Sequence, residues 1–227
     1  SPATENWGTS AWAYLRYINY YLERSGNCPD ETIRQRYDGV AYFFRAYFYY
    51  VKVRRYGDVP WYDTVIGSEE EELLKKPRED RGIIMDHVMS DLDDAIDMLP
   101  RDKDVARVTR WAALAFKSRA ALYEGTFRKY HGIDLPENDW KYYLDLSAKA
   151  SEEFITNSGY GLYTSGGTQT AYRDLFVSED AQQIEVVLAR DYNKGLSVFH
   201  NSTFYSLNTS YGRPGLTRKI VASYLMA

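Results

Sequence analysis

The stretch from Asp30 to Pro60 constrains the fold more than any other part of the chain. Asp30 can cap a helix, and Glu31 suits that helix's positive end. From Glu31 onward, apolar residues recur at Ile33, Tyr37, Val40, Phe44, Tyr47, Phe48 and Val51, the period of an α-helix. Arg54 and Arg55 fall in the last turn, where cations complement the dipole. Gly57 supplies a left-handed terminal residue, and Pro60 forbids continuation. The pattern predicts one helix from about Glu31 to Tyr56 that buries Phe44, Tyr47, Phe48 and Val51. A helix of this length needs neighbours along most of its face.

The flanking segments supply them. Asn6 to Ser25 carries Trp7, Ala11, Tyr14, Leu15, Ile18, Tyr21 and Leu22 at helical spacing, then stops at Gly26 and Pro29. Asp80 to Leu99 has the stripe Ile84, Val88, Leu92, Ala95 and Leu99, ended by Pro100. Asp86, Asp91, Asp93, Asp94 and Asp97 lie mostly off it. Thr109 can cap a helix from Arg110 to about Phe127 with Ala112, Ala115, Phe116, Arg119, Leu122 and Tyr123 on one face. Asn138 or Asp139 can cap another, closed by Asn157, Ser158 and Gly159. The glutamates Glu69 to Glu72 read as a solvated surface run.

After Gly159 the texture changes. Tyr160 to Thr170 and Asn193 to Pro214 are rich in Gly, Ser and Asn and read as loops. Ile184 to Ala189 reads as a short strand. Thr217 starts a helix, Arg218 to Leu225, within which the chain stops, as expected of a fragment of a longer protein. The fold class is therefore mainly α: a tetratricopeptide-like stack of antiparallel helix pairs with a loop-rich region carrying short strands. Residues 1–157 form the helical scaffold. Residues 158–227 form a loop-rich segment with a short strand and the start of a further helix. Helix starts near residues 31, 80, 109 and 138 are unevenly spaced, and the full repeat consensus is absent.

Several function classes are disfavoured. Lys and Arg total 28 against 32 Asp and Glu, a net charge of −4, so no general basic face exists for nucleic acid. No run approaches the ~20 apolar residues that span a bilayer. Cys28 is alone, and His87, His131 and His200 are scattered, so no metal-ligand spacing is present. Asp102-Lys103-Asp104 lacks the glycine and later glutamate of a calcium loop. Asp93 and Asp97 sit one turn apart on a solvent face, unlike a glycosidase pair. No Gly-x-Ser-x-Gly or phosphate loop occurs. The expectation is no catalytic residue, no metal and no cofactor.

Four blocks carry a resemblance. Phe44-Arg45-Ala46-Tyr47-Phe48-Tyr49-Tyr50, then Val53-Arg54-Arg55-Tyr56-Gly57-Asp58-Val59-Pro60, resembles the helix and turn that mark the SusD/RagB family. Met89-Ser90-Asp91-Leu92-Asp93-Asp94-Ala95-Ile96 resembles its acidic helix. Arg107 to Tyr123, with Trp111-Ala112-Ala113-Leu114-Ala115, resembles its alanine-rich helix. Leu216 to Met226 resembles a segment ahead of a longer carboxyl-terminal half. The chain departs from the usual pattern at Asp58, where a second Gly is common, and at Trp61-Tyr62, where aliphatic residues are common.

The resemblance implies a lipid-anchored protein at the outer-membrane surface. It would capture oligosaccharide or polysaccharide, without catalysis, for a TonB-dependent SusC-like transporter. Cys28 follows the first helix and cannot be the lipidated residue, so the anchor would lie outside this fragment. Helical pattern alone allows an alternative: a repeat adaptor binding only protein partners.

Sugar binding needs flat apolar ring faces and hydroxyl partners, which a chain with 22 Tyr and five Trp can supply. Most aromatics on helical stripes are core residues. Trp7 before a helix, and Trp61 with Tyr62 after Pro60, fall off those stripes. They are the ring candidates, with Asn6 as a hydroxyl partner and Tyr211 as a further loop residue.

Overall fold

The computed structural model describes residues 7–133, 138–193, 195–208, 210 and 215–225. Five long helices form the scaffold: α1 (Thr9–Arg24), α2 (Glu31–Tyr56), α4 (Arg81–Met98), α5 (Arg110–His131) and α6 (Trp140–Asn157), with a short α3 (Glu71–Leu74) in the connection after α2. In this series α1 packs on α2, α2 on α4, α4 on α5 and α5 on α6. This is the sequential stacking expected of antiparallel helix pairs.

Local chemistry sets the helix ends. The Asp30 carboxylate accepts a hydrogen bond from the Ile33 amide, and Asp80 does the same for Gly82. Thr109 accepts from Ala112, and Asp139 accepts from Lys141 and Tyr142. Each bond satisfies a backbone donor that the first turn leaves open. Gly57 ends α2 at φ +70°, a conformation that a side chain disfavours.

The face that α2 buries differs from the sequence expectation. Phe43, Ala46, Tyr49, Tyr50 and Val53 are in the core, whereas Phe44, Tyr47 and Val51 are exposed. Phe48 is partly buried against the core. Aromatic and aliphatic residues occupy almost every position from Val40 to Val53, so the helical period does not single out one face. Two partners choose it. Tyr49 and Val53 join Ile84, Met85, Val88 and Leu92 of α4 in one core cluster. Arg45 projects from the same side to a buried ion pair with Asp91. The stripe Ile84, Val88, Leu92, Ala95 and Leu99 is buried as expected, while Asp91 departs from the other acids by lying inside.

A second buried polar network joins α4, α5 and α6. The Glu124 carboxylate accepts from Arg81 Nη2 at 2.6 Å and from Arg128 Nε at 2.7 Å. Arg128 also donates to the Asn138 carbonyl at 2.6 Å and to the Tyr143 hydroxyl at 3.3 Å. Tyr143 in turn donates to Asp86. Buried charges persist only when paired in this way.

The chain divides into two compact units, residues 1–189 and 190–227. Residues 158–189, expected to go with the loop-rich remainder, belong to the first unit. Tyr160 stacks on Phe154, and the Ala189 amide donates to the Val105 carbonyl at 2.8 Å. Ile184 to Ala189 is not a strand, and none is assigned among the described residues. Two isolated bridges occur instead, Val59 with Glu79 and Asn193 with Val198. The run lacks a neighbouring strand, and its β-branched composition alone cannot make a ladder. The first segment expected as a loop, Tyr160 to Thr170, runs into a helix of the first unit, α7 (Gly167–Val177), and the second contains α8 (Ser202–Leu207), in the second unit. The second unit also contains α9 (Arg218–Leu225), at the expected position.

Candidate functional site

The connection from Asp58 to Asp80 doubles back along α1 and forms one wall of a cleft. Its two ends are tied together: the Glu79 amide donates to the Val59 carbonyl at 3.1 Å, and the Arg81 amide donates to Asp58 Oδ1 at 3.0 Å. The aspartate that departs from the usual Gly thus receives a backbone donor from the first turn of α4. Asn19 pins the same connection from the other side. Its Nδ2 donates to the Tyr62 and Thr64 carbonyls at 3.0 and 3.1 Å. Asn19 is 1% exposed, and its Oδ1 has no hydrogen-bond partner.

Tyr62 is fixed at several points. Its amide donates to the Tyr49 hydroxyl at 2.6 Å, and its own hydroxyl donates to the Leu73 carbonyl at 3.0 Å. Burial raises the Tyr62 hydroxyl above its ordinary pKa, against the opposing pull of Lys76. Trp7 lies just ahead of α1 and is half-buried. Its indole meets Trp12 edge-on at 5.3 Å, and its carbonyl accepts from Trp12 Nε1 at 3.1 Å. Trp12 in turn approaches Tyr62 edge-on at 5.8 Å. Three aromatic rings therefore line one cleft of about 720 Å³, alongside Arg16, Lys76 and Arg78.

Behind these rings the ammonium of Lys52 lies 4.9 Å from Trp12 and 5.8 Å from Trp7, measured to ring centroids. Burial, then the nearby Arg55, depresses its pKa.

The five sequence candidates separate clearly. Trp7 and Tyr62 are brought into the same cleft. Trp61 is not a ring platform there, being 7% exposed with its faces taken up by protein. His87 stacks on it at 4.3 Å and 12°, and Tyr49 lies 4.2 Å away. α2 ends at Tyr56 with Gly57 as its cap, ahead of Pro60, and the chain then turns inward, so a residue off the helical stripe is still core. Asn6 and Tyr211 lie outside the described residues. Sequence reading missed Trp12, Arg16, Asn19 and Arg78. Asn19 carried a usable signal: it follows Trp12 and Leu15 at helical spacing, a polar residue on an apolar face.

Among the described residues no group of three or more His, Cys, Asp or Glu could hold a metal ion. No described helix is long and apolar enough to cross a membrane.

Residues 4–122, more than half of the chain, match the SusD-like_3 family, described as starch-binding associating with outer membrane. A SusD-like protein from Bacteroides fragilis NCTC 9343 is 30% identical, with a TM-score of 0.58 over 71% of this chain and 28% of its own. A SusD superfamily protein from Parabacteroides distasonis ATCC 8503 is 28% identical, with a TM-score of 0.60 over 72% and 34%. A structure solved with xylogluco-oligosaccharide is 20% identical, with a TM-score of 0.60 over 80% and 34%, a likeness of fold alone. The chain thus spans between 28% and 34% of the length of these proteins. No curated protein matches the sequence.

Proposed function

We infer the function from one premise: the chain belongs to the SusD-like family. The protein captures glycan at the cell surface and does not cleave it. It serves a TonB-dependent SusC-like transporter at the outer membrane, to which a lipid anchor outside these residues holds it. The family's description as starch-binding and outer-membrane associated supports this reading. So does the solution of one protein of the same fold with xylogluco-oligosaccharide.

One observation carries the placement of the site: the cleft sets the rings of Trp7, Trp12 and Tyr62 beside polar side chains on a wall pinned by Asn19. Aromatic faces take the C–H side of a pyranose, and the flanking donors take its hydroxyls. The fixed wall reduces the ordering cost of binding. Asn6 and Tyr211 are assigned to the site by sequence position only. Trp61 supports it from beneath, where its carbonyl accepts from Lys76 at 3.2 Å.

Calorimetric titration with oligosaccharides of starch and xyloglucan, followed by product analysis after long incubation, tests this function. Binding without shortening is expected. A ring contact worth ~1 kcal/mol implies about five- to tenfold weaker binding for Trp7→Ala or Tyr62→Ala. Unchanged affinity in both folded variants would remove the cleft from consideration. The adaptor reading draws on the exposed stripe of Tyr37, Phe44 and Tyr47, and it requires that no glycan bind at all.

A further inference from the structure

The described lining of the cleft is cationic. The protein carries net charge −4, yet among the described residues the cleft lining includes Arg16, Lys76 and Arg78 and no carboxylate. The three cations differ in how far they are neutralised. Lys76 is paired with Glu79 at 2.5 Å and also donates to the Trp61 carbonyl. Arg16 donates to the Ile66 carbonyl, a neutral partner that leaves its charge uncompensated. Arg78 lies 4.9 Å from the centroid of the Trp7 ring, a contact that orients the guanidinium without neutralising it. Among the described residues, neither Arg16 nor Arg78 has a carboxylate partner within 4 Å.

We propose that this cleft selects glycans bearing an anionic group, a uronic-acid carboxylate or a sulfate ester. The inference rests on the glycan-binding reading above and narrows its ligand class. A guanidinium presents its N–H donors in a planar fork matching two oxygens of a carboxylate or sulfate. Arg78 places such a fork 4.9 Å from the Trp7 ring centroid, in the same cleft as Trp12 and Tyr62, so a sugar held in the cleft would bring a substituent within its reach. Arg16, on α1, supplies the second charge. Nucleic acid fits poorly, because the protein is acidic overall, with a net charge of −4.

Paired ligands test the proposal by calorimetric titration: oligogalacturonate against its methyl ester, and a sulfated galactan oligosaccharide against its desulfated form. At low ionic strength at least one anionic member is expected to bind on the order of tenfold more tightly than its neutral partner. The two pairs tell carboxylate from sulfate. The advantage should shrink as salt rises, since both guanidinium groups are exposed. Arg78→Gln should remove most of it, cutting the affinity for the anionic member far more than that for its neutral partner. Arg78 is exposed, so the variant should keep the wild-type unfolding midpoint. Arg16→Lys, which keeps the charge but loses the fork, should lower it partially.

Equal affinity within both pairs would overturn the proposal, as would a preference that survives Arg78→Gln combined with Arg16→Gln in a folded protein. Neutral oligosaccharides that bind in a Trp7-dependent way, with no anionic preference, would leave the glycan-binding reading standing and sink only this one. Absence of binding to every member of both pairs and to neutral starch and xyloglucan oligosaccharides would overturn both.

Discussion

Arg45 and Asp91 face each other across the α2–α4 interface as a two-pronged ion pair. Nε donates to Oδ2 at 2.8 Å, and Nη2 donates to Oδ1 at 2.7 Å. Both residues are buried, so each is the other's replacement for water. The Arg45 guanidinium also lies 5.4 Å from the Trp61 ring centroid, which ties the pair to the wall beneath the cleft.

Removing one partner leaves a buried, uncompensated charge. Asp91→Ala should therefore cost about 3–5 kcal/mol. Replacing both, as Arg45→Met with Asp91→Leu, should cost much less than the two single changes added together. Urea unfolding of all variants checks this. Additive losses would show that the two side chains do not interact in solution.

Neighbouring phenylalanines should behave oppositely. Phe43 is 5% exposed and Phe44 is 45% exposed. Phe43→Ala should cost ~3–5 kcal/mol through lost burial and a residual cavity. Phe44→Ala should cost well under half as much. Equal losses in thermal unfolding midpoint would mean that the buried face of α2 is misassigned.

Gly125 marks a close approach of α5 and α6. A Cβ there would lie 2.9 Å from Leu144 Cδ2 and 3.0 Å from the Trp140 carbonyl oxygen. Alanine is worth ~1 kcal/mol over glycine in a helix, but overpacking costs typically ~1–3 kcal/mol. The backbone oxygen cannot rotate away, so Gly125→Ala should destabilise the protein in chemical denaturation. A gain in stability would indicate that the helices can separate at little cost.

Alkaline unfolding should be driven by tyrosine. Burial and the negative charge of the nearby Asp38 carboxylate push the Tyr21 hydroxyl up to about 12 from its ordinary 10.0. Burial also holds Tyr49 and Tyr143 far above the usual range, Tyr143 with help from Asp86. Because the folded pKa exceeds the unfolded one, this stabilisation is complete below pH ~10 and is lost as pH rises toward ~12 and beyond. The depressed Lys52 opposes the trend weakly, since its charged form is relieved as pH rises. Tyrosinate absorbance and helical circular dichroism, followed together, should change in one coupled step for the buried rings. Full ionisation with helicity retained would contradict the burial of Tyr49 and Tyr143.

What the sequence determined by itself was the set of long helices and most of their ends. Asp30, Gly57 and Thr109 act within their own turn of chain, so the start and stop of α2 and the start of α5 are legible without knowing the fold. The α4 stripe was legible for the same reason: polar residues between Ile84, Val88 and Leu92 leave one apolar face. Tertiary structure decided the remainder. From Val40 to Val53 apolar residues fall on every side of α2, so only the match of Arg45 to Asp91, and of Tyr49 to the α4 core, could choose between Phe43 and Phe44. Ile184 to Ala189 could become a strand only with a partner edge, which the stack does not provide. The candidate cleft follows the same logic. Trp7 and Tyr62 stood out by lying off helical stripes, but Trp61 stood out equally and lies in the core. Whether a ring faces a ligand or another ring depends on where the chain turns after Pro60. That path is set by long-range bonds from Asn19, Tyr49 and Glu79, to which no local pattern points.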